Sequence, residues 1–288
     1  MRGRPSVAWI DGRVVPFASA TVPIDDRGLQ FAESLYEVVP ITGGTVRLLP
    51  EHVARMKRAA PEIGCEAGVP ELSEWEKLVG DLLARDPVVE GLLYAQVTGG
   101  AAPREHVPES PPAPTFFAYI TPFRFPRDPD VRLGISAVTL PDIRWMRRDL
   151  KTTMLLPAVL AKREARRHGA QEAFYVGPPD LVHEGASSNV FVVEGTALAT
   201  PSQSTRLLPG TMRPLVSEVA KEAGLHVENV EIPLSRLSAA AEVFVTSSSQ
   251  LVMPVVAIDG KPVGSGEGGS VARDLARRLR ARLGISET

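Results

Sequence analysis

Apolar and polar positions alternate through the first stretch of this chain and give way to helical spacing only after Pro50. From Ala8 to Phe17, apolar and β-branched residues flank Asp11-Gly12, and Tyr36 to Leu49 repeats the arrangement about Gly43-Gly44. The pattern predicts two hairpins and the beginning of an antiparallel sheet. Beyond Pro50, Val53, Met56, Ala60 and Ile63 recur at helical intervals with Arg55, Lys57 and Arg58 between them, which predicts a helix opening at the proline. Ser73 and Glu76 read as a capping box for a second helix running through Ala84. Strands are predicted at Leu92 to Thr98 and Thr115 to Thr121. The loop between them, Gly-Gly-Ala-Ala-Pro-Arg-Glu-His-Val-Pro-Glu-Ser-Pro-Pro, is longer than a purely structural connection requires.

The proline-rich stretch Pro122 to Pro129 is the best candidate boundary. After it the pattern predicts a strand at Val131 to Val138 and a helix from Leu155 to about Arg167. Strands at Ala173 to Val176 and Asn189 to Val193 flank a segment holding Glu184. A loop from Pro201 reaches Pro209-Gly210, where a helix begins at Thr211 and runs to Glu222 before Gly224 stops it. Further strands are predicted at Leu225 to Ile232, Glu242 to Thr246 and Val255 to Ile258, then a basic C-terminal helix. Strands dominate with helices interspersed, so the expected class is α+β, a mixed α/β chain. The expected division is 1–121 as a small N-terminal domain, 122–130 as a linker, and 131–288 as a larger domain.

Composition narrows the functional classes. The chain has 288 residues, 44% of them apolar and 23% charged, with a formal net charge of -2. That length suits two domains with a cleft, and the charge excludes a general pull towards nucleic acid or anionic membrane. No apolar run approaches the roughly 20 residues that span a bilayer. The single cysteine, Cys65, excludes an internal disulfide framework, and the N-terminus lacks a secretory pattern, so a soluble cytoplasmic protein is expected. There are six lysines, and five of them (57, 77, 162, 221 and 261) stand among charged neighbours or in a turn and read as solvated. Lys151 is followed by Thr-Thr-Met-Leu-Leu-Pro-Ala-Val-Leu-Ala, where an ammonium is costly to bury without a partner.

Gly264-Ser-Gly-Glu-Gly-Gly269 matches a dinucleotide fingerprint in form, but the chain ends before it could supply the second strand and the acidic ribose ligand, so a loop is the better reading. No His and Cys have metal-ligand spacing. His52, His168, His183 and His226 read as surface or helix-end residues. An isolated lysine suggests imine chemistry, and a pyridoxal phosphate site needs three further things: a carboxylate for the ring nitrogen, a helix start and an arginine for the phosphate. Glu184, in Glu-Gly-Ala-Ser-Ser-Asn with Ser188 and Asn189, is a candidate for the first. Gly210-Thr211-Met212, Arg55 and the Thr246-Ser247-Ser248-Ser249 run are candidates for the others. A Glu-Gly turn or a serine run is ordinarily just loop sequence. These residues alone indicate a cofactor-dependent enzyme of unspecified kind.

The chain also resembles the fold-type IV (class IV) pyridoxal phosphate enzymes, from Trp9 to about Gly260. The resemblance is carried by Asp26-Arg-Gly-Leu-Gln-Phe31, Tyr36-Glu-Val-Val39, Glu51-His-Val-Ala-Arg55, Asp142-Ile-Arg-Trp145, Asp149-Leu-Lys151, Leu160-Ala-Lys-Arg-Glu-Ala165, Glu184-Gly-Ala-Ser-Ser-Asn-Val-Phe191 and Phe244-Val-Thr-Ser247. It implies a small α/β domain and a larger pseudo-barrel domain with the cofactor at their interface. Lys151 is then the Schiff-base lysine and Glu184 the partner of the pyridine nitrogen. Arg55, the Thr211 and Met212 amides and the Ser248 hydroxyl then hold phosphate, Ser188, Asn189 and Ser247 are further cofactor-binding residues, and Leu208 packs on the ring. Within the class, Pro103-Arg-Glu-His106 and Tyr36 are similar to the carboxylate-binding elements of D-amino acid aminotransferases, which implies Tyr36, Val38, Arg104 and His106 as substrate-binding residues. An arginine offers a charged fork that carboxylate-free amines do not need. Branched-chain enzymes usually carry a tyrosine five places after the lysine, where this chain has Leu156. Ala32-Glu33-Ser34 stands where Gly-Asp-Gly is common. The implied activity is transfer of an amino group from a D-amino acid donor to a 2-oxo acid by a homodimer in which the Arg104/His106 loop completes the neighbouring site. The alternatives are an (R)-selective amine transaminase, a branched-chain aminotransferase and, more distantly, an aminodeoxychorismate lyase.

Overall fold

The computed structural model describes residues 4–285. The chain forms two compact units: residues up to Arg124 together with Leu150–Met154, and Phe125–Asp149 together with residues from Leu155 onward. The segment carrying Lys151 thus belongs to the first unit.

Among the described residues, the first unit holds a six-stranded antiparallel sheet of β1 (Val7–Ile10), β2 (Arg13–Pro16), β3 (Ser34–Thr42), β4 (Thr45–Val46), β5 (Glu90–Thr98) and β6 (Thr115–Pro122), in the order β2-β1-β6-β5-β3-β4. Both expected hairpins form. Asp11 and Gly12 take φ of 44° and 88°, and Gly43 and Gly44 take 58° and 72°. Two successive positive φ values are what a tight hairpin turn matching strand twist demands, which is why these pairs stand there. The unit's helices are α1 (Arg27–Phe31), α2 (Leu49–Ala59) and α3 (Leu72–Arg85). Val53, Met56, Trp75, Leu78, Val79 and Leu82 are buried, and Trp75 meets Phe116 of β6 edge-on at 5.2 Å. Full burial of each large apolar side chain contributes roughly 1.5–3 kcal/mol. The start of α3 corrects the expected cap: Glu71, not Ser73, precedes the helix, and its N–H donates to the Glu74 carboxylate at 2.7 Å. Ser73 lies inside the first turn.

Leu150–Met154 runs along β3. Leu35 bridges Thr152, the Tyr36 N–H donates to the Lys151 carbonyl at 3.0 Å, the Thr153 N–H donates to the Ser34 carbonyl at 3.2 Å, and the Ser34 and Thr153 hydroxyls share a hydrogen bond. Lys151 is held by main-chain contacts that do not depend on its side chain.

The second unit contains strands β7 (Ile135–Pro141), β8 (Glu172–Gly177), β9 (Leu181–Gly185), β10 (Asn189–Glu194), β11 (Ala197–Pro201), β12 (His226–Val230), β13 (Ile232–Pro233), β14 (Glu242–Ser247), β15 (Leu251–Ile258) and β16 (Lys261–Pro262). They form one mixed sheet in the order β12-β11-β10-β14-β15-β7-β8-β9-β13, with β16 on β15. β7 is parallel to both β8 and β15, and β11 is parallel to β12. Its helices are α4 (Asp128–Leu133), α5 (Leu156–Arg167), α6 (Met212–Glu222), α7 (Leu234–Ala239) and α8 (Ser270–Arg282). Phe191 of β10 stacks on its register partner Phe244 of β14 at 5.0 Å, while Val190, Val192, Val243 and Val245 of the same strands join the hydrophobic core on the other face of the sheet. Ala161 and Ala165 seat α5 on Val138, Ala173 and Tyr175, leaving Leu156, Val159 and Leu160 exposed.

Two expectations are corrected here. Val131 to Leu133 is the end of α4 rather than strand, because Asp128-Pro129-Asp130 supplies helix-start residues, Asp130 accepts the Arg127 N–H at 2.8 Å, and Gly134 at φ 62° ends the helix. The segment around Glu184 is itself a strand, β9, buried along its whole length and so without the alternation that marks a half-exposed strand. Among the described residues, no helix is long and apolar enough to cross a membrane.

Candidate active site

In the first unit, the two faces of β3 separate two tasks. Tyr36 and Val38 are half-buried on one face, while Leu35, Glu37 and Val39 are buried on the other. The register sets Tyr36 opposite Gln96 and Val38 opposite Tyr94, and the Tyr36 and Tyr94 rings stack at 5.7 Å. The Lys151 Nζ lies 4.2 Å from the centre of the Tyr36 ring, on a face whose quadrupole attracts a cation. The lysine amine, Tyr36 and Val38 are therefore brought together, with Tyr94 beside them.

On the opposite face, the Glu37 carboxylate takes Arg55 in a fork, Nε to Oε1 at 2.8 Å and Nη2 to Oε2 at 2.6 Å, and accepts from His52 Nδ1 at 2.6 Å. His52 is fully buried, which corrects its reading as a surface or helix-end residue; it occupies the first turn of α2 but points into the unit. Burial lowers the His52 pKa despite the adjacent glutamate, so the ring is neutral at pH 7 and its Nδ1–H is the donor. Burial works to raise the Glu37 carboxyl, but the Arg55 charge and the hydrogen bonds from Arg55 and His52 outweigh it and hold the pKa at about 2. Because that lies below the ordinary value, the stability Glu37 contributes is complete above about pH 5 and is lost as the pH falls towards 2. Glu37→Gln removes the negative charge beside a buried guanidinium and is expected to lower unfolding free energy at pH 7 by roughly 3 kcal/mol. It should also flatten the acid limb of the urea-midpoint profile. A wild-type acid limb in the variant would separate Glu37 from acid stability.

In the second unit, Glu184 is the centre. Its Oε1 accepts from Arg144 Nη1 at 2.6 Å, and its Oε2 accepts from the Leu208 N–H at 3.0 Å and Asn189 Nδ2 at 3.1 Å. Asn189 Nδ2 also donates to the Leu208 carbonyl at 3.0 Å. Gly210 packs so closely that a Cβ there would collide with the Asn189 side chain, which brings the start of α6, at Thr211 and Met212, beside Glu184's partners. The β10–β14 register sets Asn189 opposite Thr246 and so places the Ser247–Ser249 turn next to them. There, Ser247 Oγ accepts the Gln250 N–H at 3.1 Å. Ser188 is turned the other way, donating to the buried Glu172 at 2.8 Å. Lys162 also reaches Glu172, at 2.7 Å, which corrects its reading as solvated.

Asp142 organises the far side of Glu184. It receives the Arg144 fork, with Nε and Nη2 each at 2.9 Å, and His183 Nδ1 at 2.9 Å. His183 is buried in β9, which corrects the surface reading given to it. Burial works to raise the Asp142 carboxyl, but His183, Arg144 and Arg148 hold it far below the usual carboxylate range. Burial pushes the Glu184 carboxyl up, against the Arg144 charge and the Leu208 N–H. A carboxylate of raised proton affinity, fixed by the Arg144, Asn189 and Leu208 donors, is suited to grip a proton on a heteroaromatic nitrogen.

Arg104 and His106 gather elsewhere in the first unit, on Phe31: the Arg104 guanidinium lies 5.3 Å from the ring centre and the imidazole 5.6 Å. Glu37 holds Arg55 in the first unit, and Asp142 and Arg144 hold Glu184 in the second, without having been singled out in the sequence, although the quoted blocks around Tyr36 and Asp142 contain all three.

The pattern described as amino-transferase class IV matches residues 34–258, and the chain belongs to that family. It is 36% identical over 278 residues to the D-alanine aminotransferase of Bacillus licheniformis, covering 96% of this chain and 97% of the relative. It is 35% identical over 268 residues to the D-alanine aminotransferase of Staphylococcus epidermidis, covering 93% and 94%. The fold superposes on the branched-chain amino acid aminotransferase of Escherichia coli with a TM-score of 0.90 at 22% identity, covering 99% and 97%. It superposes equally, with a TM-score of 0.90 at 25% identity and coverage of 98% and 96%, on the T.th. branched-chain amino acid aminotransferase solved with pyridoxamine 5'-phosphate. The protein is a pyridoxal phosphate-dependent aminotransferase. Its residues fit that cofactor: an amine on an aromatic face, a buried carboxylate ringed by donors, and a helix start whose first turn carries no acidic side chain.

Proposed function

We propose that this enzyme moves the amino group of a D-amino acid, such as D-alanine or D-glutamate, to a 2-oxo acid, such as 2-oxoglutarate or pyruvate, by a ping-pong mechanism. The observation carrying this reading is the pairing of Arg104 with His106 on the Phe31 ring, where no carboxylate of the described residues pairs with Arg104. The likeness to D-alanine aminotransferases, which the chain matches over nearly its whole length, supports it.

When bound, pyridoxal phosphate supplies the carbonyl that exchanges amino groups and a conjugated ring that takes up the electron pair left at the substrate Cα. Lys151 would hold it through its amine; once freed, the Lys151 Nζ would take the substrate Cα proton as general base and deliver a proton to the cofactor carbon that receives the amino group. Glu184 would hold the proton on the ring nitrogen, with Asn189 and the Leu208 N–H keeping the carboxylate in place and Leu208 packing on the ring. Arg55, the Thr211 and Met212 amides, Ser247 and Ser248 would hold the phosphate, and Glu37 sets the direction of Arg55. Ser188 acts on the turn through Glu172. Tyr36, Arg104 and His106 orient the substrate carboxylate, with Val38 a further substrate contact, and so decide which enantiomer presents its Cα proton to Lys151. We further infer a cytoplasmic homodimer in which the Arg104/His106 segment completes the neighbouring copy's site. The exposed Leu156, Val159 and Leu160, at helical spacing on α5, support an apolar contact between copies.

The test is Arg104→Ala. Loss of a charged fork on a carboxylate is expected to raise KM for D-alanine by roughly 10- to 100-fold, from the ~1.5–3 kcal/mol of a charge-assisted hydrogen bond. KM for (R)-1-phenylethylamine, which has no carboxylate, should move little. Equal effects on the two donors would remove Arg104 from carboxylate binding and favour the amine transaminase reading.

A further inference from the structure

The segment bearing Arg104 and His106 is exposed, yet its backbone is gripped by a buried side chain to which no role has been given. Arg27 of α1 is 4% exposed. Its Nη1 donates to the Glu105 carbonyl at 2.6 Å and its Nη2 to the His106 carbonyl at 3.0 Å. The same guanidinium holds Glu33, with Nε at 2.9 Å and Nη2 at 2.6 Å from Oε2. Arg27 thus ties the start of β3 to the Arg104–His106 backbone through four hydrogen bonds.

The surrounding sequence is arranged around this clamp. Asp26 caps α1 by accepting the Gly28 N–H at 2.7 Å and receives the Thr98 hydroxyl at 2.7 Å, fixing the backbone from which Arg27 departs. A Cβ at residue 28 would lie 2.7 Å from Thr98 Cγ2, and a Cβ at residue 99 would crowd the Glu33 carboxylate, so glycine at both positions lets the clamp close. The loop's first residues follow α1 closely, with the Arg27 N–H donating to the Gly100 carbonyl at 2.9 Å and the Gly99 N–H to the Glu33 carbonyl at 2.9 Å. The Phe31 ring meets two cations, its centre lying 4.9 Å from the Arg27 guanidinium and 5.3 Å from that of Arg104. Glu33 neutralises the buried one, leaving Arg104 to present the net charge.

We propose that the Arg27–Glu33 pair is the positioning device for the carboxylate-binding segment: it fixes the Glu105 and His106 carbonyls so that the Arg104 and His106 side chains are presented together on Phe31. This rests on the reading of Arg104 as a carboxylate ligand. A lysine at 27 keeps the charge but lacks the fork, so it cannot serve Glu33 and two carbonyls in the same geometry. Glu33→Gln keeps an acceptor and removes the counter-charge, a milder change that preserves the test should Arg27→Lys fold poorly.

The experiment compares cofactor-loaded wild type, Arg27→Lys, Glu33→Gln and Arg104→Ala by steady-state kinetics with D-alanine and by amide hydrogen exchange over residues 103–109. For Arg27→Lys and Glu33→Gln the expected result is a KM raised on the order of 10-fold or more, with kcat within about threefold, as for a misplaced binding group. Amide exchange confined to 103–109 should accelerate. Unchanged KM and exchange in both variants, with KM raised in Arg104→Ala, would overturn the positioning role alone. An unchanged KM in Arg104→Ala would overturn the carboxylate reading and this inference with it.

Discussion

Lys151→Ala is expected to lower transamination on the order of 10⁴-fold, the upper range for removal of a positioned general base. The protein should remain folded, because the Lys151 segment is tied to β3 by the Tyr36 N–H, the Thr153 N–H and the Ser34–Thr153 hydroxyl pair, none of which involves the lysine side chain. What is lost is the amine above the Tyr36 ring. The check is absorbance: wild type loaded with pyridoxal phosphate carries the visible band of a lysine-linked cofactor, and the variant should lack it and release the cofactor on dialysis. Lys162→Ala is the control, since Lys162 is engaged by Glu172 and should leave the band unchanged. A retained band in Lys151→Ala would assign the link to another lysine.

Glu184→Gln comes second, with an expected loss of about 10²- to 10³-fold in kcat, the scale for removing one preorganised electrostatic partner of a developing charge. The substitution keeps the shape of the side chain and an oxygen for the Leu208 N–H and Asn189. Arg144 retains its fork on Asp142, so no buried cation is stranded. Since burial raises the Glu184 carboxyl, its ionised form is costly to the folded protein at neutral pH, and the amide should cost little stability there. Activity and thermal midpoint should therefore part company: a large fall in kcat with a midpoint near wild type. A fall of less than about threefold in kcat would leave Glu184 no part in holding charge on the ring.

The sequence and the structure agree most closely where the information is local. Asp11-Gly12 and Gly43-Gly44 announce their turns because positive φ is written into the residue type. Lys151 stands out because the chain has few lysines and the others lie among charges or in a turn. The relation between partners distant in sequence is harder to read. Glu37 alternates with Leu35 and Val39 and so shares their buried face, but only its contact with His52 and Arg55 makes that burial tolerable, and nothing local marks the pairing. Arg144 and Glu184 are 40 positions apart, and their pairing depends on a strand, β9, whose burial on both faces removes the periodic signal. Glu184 was therefore legible through resemblance to a family, not through its own surroundings. Glu33 followed the same course: as a departure from a familiar tripeptide it carries no meaning until Arg27 is seen between it and the loop.

The proposed transfer from D-amino acids requires the carboxylate to be held so that only one enantiomer offers its Cα proton to Lys151. The most direct measurement incubates the cofactor-loaded enzyme with 2-oxoglutarate and either D-alanine or L-alanine, and follows pyruvate formation. Turnover with D-alanine and none with L-alanine is the predicted result; turnover with L-alanine alone, or with both at similar rates, would contradict it.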